Sequence, residues 1–194
     1  RGEGYILREK LLLERSTLEQ FSRKYDLAIA TGRPRAEAEY PLEHFQIKQF
    51  FPMILSLDDC IREEKRIFEQ EGRSVSLSKP DPFMLDVIAR AFSGKVKKNY
   101  YIGDMPDDMV AAQRAVSGYT GIGVATSTTG RNRVKNMLTQ AGADTVLHTG
   151  PHSGRIEDKL RQSLQAEHPV TDGKDDLLLA TREHSRFPTV AISS

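Results

Sequence analysis

The chain is 194 residues long, 38% hydrophobic and 28% charged, a balance ordinary for one globular domain with a sizeable core. Its 28 basic and 27 acidic side chains leave a formal net charge of +1, so no global field draws nucleic acid or an anionic membrane surface to it. The single cysteine, Cys60, excludes an internal disulfide framework and a multi-cysteine metal site and suits a reducing, cytoplasmic setting, and no apolar run approaches the roughly 18 to 20 residues that a membrane span needs.

In chain order, residues 5–24 mix leucines with charges, and Ser16 or Thr17 is placed to cap a short helix running through Leu18 and Phe21 to Lys24. Leu27-Ala28-Ile29-Ala30 is an unbroken apolar run ending at Thr31-Gly32, the pattern of a parallel strand covered on both faces. Pro34 suits the first turn of a helix over residues 35–46, which Pro41 is expected to kink or end early. Residues 51–57 read as a second strand with Asp58 and Asp59 at its carboxyl edge, and the charged stretch 60–78 as a surface helix and loop.

A helix is expected over 82–92, closed by Gly94 and the basic cluster Lys95, Lys97 and Lys98, which reads as solvated. Strands at 99–103, 120–124 and 145–147 then alternate with helices at 109–116, 131–140 and 155–164. The rhythm predicts an α/β fold, a Rossmann-like parallel sheet with helices on both faces. It fades after Glu167, so residues 1–167 are expected to form the core and 168–194 a linker or tail that can lead to another domain. Within that tail Phe187 to Ile192 has strand character but no evident partner.

Three segments fall at the carboxyl ends of expected strands, where ligands of open parallel sheets bind. Thr31-Gly32-Arg33 offers a hydroxyl, a close backbone approach and a cation before a helix start, suited to a phosphoryl group, although such a turn can equally be only a turn. Lys79, in Ser78-Lys79-Pro80-Asp81-Pro82, is held by two prolines that stiffen the backbone, and its ammonium can neutralise a phosphoryl group and a carboxylate. Asp81 suits a helix cap better than a reactive role. Asp104 and Asp108, in Gly103-Asp104-Met105-Pro106-Asp107-Asp108, supply hard oxygens of the kind magnesium takes, or else an acidic helix start. The five histidines are scattered without metal-ligand spacing.

In this order the segments resemble motifs of the haloacid dehalogenase-like hydrolase superfamily, particularly its phosphoglycolate-phosphatase-like branch, over residues 5–165. The resemblance matches Thr31 to the second motif, Lys79 to the third, and Gly103, Asp104 and Asp108 to the fourth. It implies a Mg2+-dependent phosphatase of a small phosphorylated metabolite, with an aspartate attacking phosphorus to form an aspartyl-phosphate that water then hydrolyses. On that reading Thr31, Gly32, Arg33 and Lys79 bind substrate, Thr31 and Lys79 take part in the chemistry, and Asp104 with Asp108 holds the metal. Replacing Lys79 is expected to abolish turnover in an active form while leaving the fold intact.

The family's first motif, an Asp-x-Asp after an apolar strand, does not precede Thr31. The sequence is therefore expected to be truncated at its amino end, with residues 1–15 as the end of a helical cap, and to be inactive alone. The alternative is a non-catalytic regulatory or interaction domain of a multifunctional protein. A phospho-accepting receiver domain also uses Asp, Thr and Lys on a parallel sheet, but there the acidic pair comes before the hydroxyl and the lysine, whereas Thr31 here comes first.

Overall fold

A computed structural model describes residues 11, 13–92, 98–125, 130–148, 156–166 and 189–192. The elements are α1 (Arg15–Ser22), β1 (Asp26–Ala30), α2 (Arg35–His44), a 3-10 turn (Lys48–Phe50), β2 (Met53–Leu55), α3 (Leu57–Glu71), α4 (Phe83–Ala91), β3 (Asn99–Gly103), α5 (Pro106–Arg114), β4 (Tyr119–Ala125), α6 (Arg131–Gln140), β5 (Thr145–His148), α7 (Ile156–Ala166) and β6 (Thr189–Ile192). The six strands form one sheet in the order β2-β1-β6-β3-β4-β5, and every pairing is parallel. This is the Rossmann-like α/β architecture that the alternation of elements predicts.

Both faces of the sheet are covered because side chains alternate along each strand. Leu27 and Ile29 of β1 and Tyr100 and Ile102 of β3 join a core with Leu18 and Phe21 of α1 and Ile156, Leu160 and Leu164 of α7. Ala28, Ala30 and Tyr101 point the other way, against Cys60 of α3, Met84, Leu85 and Ile88 of α4, and Ala111 and Ala112 of α5. Alanines on that second face let the helices that frame the loops of interest approach closely. Among the described residues no helix is long and apolar enough to cross a membrane.

Several boundaries differ from the sequence expectation for identifiable reasons. Neither Ser16 nor Thr17 caps α1: the helix begins after Glu14, whose carbonyl accepts the Thr17 and Leu18 amides, and Thr17 is buried against the core. Pro41 does not end α2, because the ladder resumes past it when the Phe45 amide donates to the Pro41 carbonyl. The second strand stops at Leu55, since Ser56 turns into the start of α3 and Asp59 folds back to accept from the Ser56 amide and hydroxyl at 2.8 and 3.0 Å.

Asp59 is also gripped by Arg35 and Arg62, while Asp58 accepts the Arg35 amide at 2.7 Å. Burial pushes the Asp59 carboxyl up, but the Ser56 donors and the two guanidinium groups outweigh it and hold the carboxyl below its ordinary range. The acidic pair thus fastens the starts of α2 and α3. Gly94, Lys95, Lys97, the amino-terminal ten residues and 167–188 lie outside the described residues. The strand expected near the end of the sequence does have partners: β6 lies between β1 and β3, at the centre of the sheet.

The charged stretch is not wholly solvated either, since α3 buries Cys60 and Ile67. Cys60 is a free thiol with no solvent exposure, and burial, aided by Glu64, Asp59 and Asp81, pushes its pKa up to about 11. At pH 8 the native chain should therefore react with a thiol-specific chromogenic disulfide at least about 100-fold more slowly than the urea-unfolded chain. Equal rates would show that the second core opens readily.

Candidate active site

β6 sets the distance between the two strands that carry the expected site. Its register aligns Ile29 of β1 and Ile102 of β3 with the same residue, Ile192. Thr31 and Asp104, each two residues further on, are therefore level with each other, and two strand spacings put their backbones about 10 Å apart.

Thr31 is fully buried where β1 runs out, and its amide donates to the Leu55 carbonyl at 2.9 Å. Its hydroxyl oxygen accepts the Arg33 amide at 3.1 Å, closing a tight turn that brings Gly32 to the site. A Cβ on Gly32 would lie 4.0 Å from Cε of Lys79, so the lysine stem passes directly beside this turn.

Lys79 reaches into the same place from the loop before α4. Its Nζ donates to the Asp108 Oδ1 at 2.7 Å, to the Tyr101 hydroxyl at 3.1 Å and to the Ala30 carbonyl at 3.3 Å. The Lys79 and Asp108 side chains are 11% and 1% exposed, so this is a buried ion pair. Asp81, next in the loop, accepts the Phe83 amide at 2.9 Å, and so takes the helix-starting role the sequence suggested.

Asp108 is placed by the way α5 begins. Pro106 occupies the first turn, where its missing N–H costs nothing, and Asp108 reaches back to accept the Met105 amide through Oδ2 at 3.1 Å. This moves the helix start three residues ahead of the expected Met109. A Cβ on Gly103 would collide with the Asp108 carboxylate, so glycine is required there for the acid to fold under the end of β3.

Asp104 stands exposed just past β3. Desolvation, followed by the neighbouring Asp108, pushes its carboxyl above the ordinary range, and Lys79 and Arg33 offset only part of this. Thr31, Gly32, Lys79, Asp104 and Asp108 therefore converge, and the charge of Arg33 is felt at the same point. A hard divalent ion needs only one or two protein carboxylates beside phosphate and water. Among the described residues no group of three or more His, Cys, Asp and Glu side chains forms a full protein cage.

Tyr101 is the participant that sequence reasoning missed. It is fully buried in β3, and its hydroxyl lies 3.1 Å from both the Ala30 carbonyl and the Asp108 Oδ1. The available signal was a tyrosine in a strand otherwise expected to be buried on both faces, because a phenolic O–H there requires a partner.

Several solved structures resemble this fold. A protein assigned as a beta-phosphoglucomutase from Thermotoga maritima matches at 22% identity and a TM-score of 0.56, over 76% of this chain and 58% of its own. A haloacid dehalogenase-like protein of unknown function from Agrobacterium tumefaciens matches at 20% and 0.54, over 72% and 54%. The chain thus spans little more than half the length of either, and at these identities the likeness concerns the fold alone. Among curated proteins none matches this sequence significantly. The family model for haloacid dehalogenase-like hydrolases, however, matches residues 14–124, more than half of the sequence and a span that takes in Thr31, Lys79, Asp104 and Asp108; the chain belongs to that family.

Proposed function

We propose that the chain carries the phosphate- and metal-binding residues of a magnesium-dependent phosphatase acting on a small phosphorylated metabolite in the cytoplasm. The observation that carries this reading is the buried Lys79–Asp108 pair fixed beside the Thr31 turn, level with an exposed Asp104. Thr31, Gly32 and Arg33 bind the phosphoryl oxygens, and Lys79 balances their charge. Asp104, with Asp108 alongside, would hold Mg2+, which when bound neutralises charge on the transferring group. The lone thiol Cys60 supports the reducing compartment, and the near-neutral charge supports a small-molecule partner rather than nucleic acid or membrane.

The family reaction requires a carboxylate oxygen to bond to phosphorus as the alcohol leaves, then water to cleave the acyl-phosphate. Among the described site residues, Asp108 already accepts from Lys79, Tyr101 and Met105, and Asp104 is assigned to the cation. The proposal therefore includes inactivity of this 194-residue chain by itself.

Titration calorimetry with inorganic phosphate and Mg2+ tests the binding half of the proposal. The chain should take phosphate only with Mg2+ present, and Thr31→Ala should weaken it about tenfold, the loss of one charge-assisted hydrogen bond. No binding at any Mg2+ concentration would overturn the phosphatase reading and favour the interaction-domain alternative. Robust Mg2+-dependent hydrolysis of p-nitrophenyl phosphate would overturn the inactivity.

A further inference from the structure

We infer that Tyr101 is a positioning residue, whose hydroxyl holds the Lys79 ammonium at the ends of β1 and β3 and keeps Asp108 hydrogen-bonded when Lys79 turns toward an anion. The second half of this statement rests on the proposed phosphate site, and the first does not. Among the described residues, acceptors within 3.3 Å of Lys79 Nζ include the Asp108 carboxylate, the Tyr101 hydroxyl and the Ala30 carbonyl. An ammonium has three protons, so in this arrangement each has a protein acceptor. Lys79 can donate to a phosphoryl oxygen only by giving one of these up.

Tyr101 makes that exchange inexpensive. Its hydroxyl lies 3.1 Å from the same Asp108 Oδ1 that Lys79 contacts, so it can donate its own proton there when Lys79 turns away. In the resting arrangement it can direct the proton to the Ala30 carbonyl, also at 3.1 Å, while accepting from Lys79. Without this hydroxyl a carboxylate that is 1% exposed would depend on Lys79, besides the Met105 amide, and would hold the ammonium away from an incoming anion. The ring is fixed for the task, being fully buried and packed edge-on against Tyr119 at 6.5 Å.

Tyr119 provides the control. It too is a tyrosine in the sheet with its hydroxyl on a backbone carbonyl, that of Leu85 at 2.9 Å, but no described bond joins it to Lys79 or Asp108. Tyr101→Phe and Tyr119→Phe each remove one hydroxyl next to the second core, and only the first should touch the site. Two quantities are read on the full chain: Lys79 ammonium proton exchange by 15N-lysine NMR, and affinity for inorganic phosphate with Mg2+.

In the wild type the Lys79 ammonium should give a slowly exchanging signal. Tyr101→Phe should speed its exchange at least tenfold and weaken phosphate about tenfold, and Tyr119→Phe should change neither by more than twofold. Wild-type exchange and affinity in Tyr101→Phe, or equal effects of the two variants, would overturn the inference. If the wild type binds no phosphate, the phosphatase reading falls while the exchange comparison still decides whether Tyr101 holds Lys79. If Tyr101→Phe fails to fold, the wild-type signal decides, and a Lys79 that exchanges as fast as the exposed Lys65 overturns the claim.

Discussion

Replacing Lys79 by methionine should destabilise the chain by about 3–5 kcal/mol, the cost of leaving one member of a buried ion pair without its partner. The sequence alone leads one to expect a fold left intact; the geometry leads to a different expectation, because the partner carboxylate, on Asp108, is 1% exposed and the two charges are 2.7 Å apart. An exposed pair gives the opposite outcome. Arg23 and Glu19 are equally close, but at 72% and 51% exposure their removal should cost about 0–1 kcal/mol. A double variant, Lys79→Met with Asp108→Asn, removes both charges, keeps the acceptor for the Met105 amide, and should recover more than half of the loss. Urea unfolding of the four chains measures all of this. A Lys79→Met chain within 1 kcal/mol of wild type would mean that the Tyr101 hydroxyl, water or rearrangement suffices for Asp108.

Ending the chain at Ala166, and so removing β6, should abolish cooperative unfolding altogether. The four residues Thr189–Ile192 pair with β1 on one side and β3 on the other, and among the described residues no other pairing joins the two parts of the sheet. Without them β1-β2 is a two-stranded parallel ribbon, too small to be stable by itself, and two inner edges present unpaired N–H and C=O groups. The shortened chain should lose a sharp thermal transition by circular dichroism and the amide protection of Leu27–Ile29 and Tyr100–Ile102. Retention of the wild-type melting temperature within about 3 °C would show that α1, α4 and α7 hold the halves together without the strand.

Much of the architecture was legible because apolar runs such as Leu27–Ala30 mark strands buried on both faces, and an apolar helix such as α4 has a face for each neighbour. β3 is found at the residues expected, since Asn99 and Gly103 bound it on both sides. Boundaries set by side chains bonding back to the backbone were less visible. Asp59 returning to Ser56 ended a strand two residues early, and Asp108 returning to Met105 began a helix three residues early. Thr31 and Asp104 could be named because each follows a strand end, whereas Lys79 comes from a loop between two helices and Asp108 from the first turn of α5. Tyr101 could not, because a phenol within a strand looks like core until the loop before α4 and the first turn of α5 put a lysine and a carboxylate against it. The position of β6 was hidden for a different reason: pairing between segments so far apart in sequence leaves no local pattern.

The strand order β2-β1-β6-β3-β4-β5 also bears on how the chain acquires its shape during synthesis. The segment that lies at the middle of the sheet is translated after every other described element, so a growing chain holds two incomplete half-sheets until Thr189–Ile192 clears the ribosome. The closing contacts span most of the sequence, and contacts of that separation slow folding and lengthen the exposure of bare strand edges. Nascent chains should therefore engage chaperones late in translation, and an encounter between two of them in that interval leads to exchange of β6 and an intertwined pair.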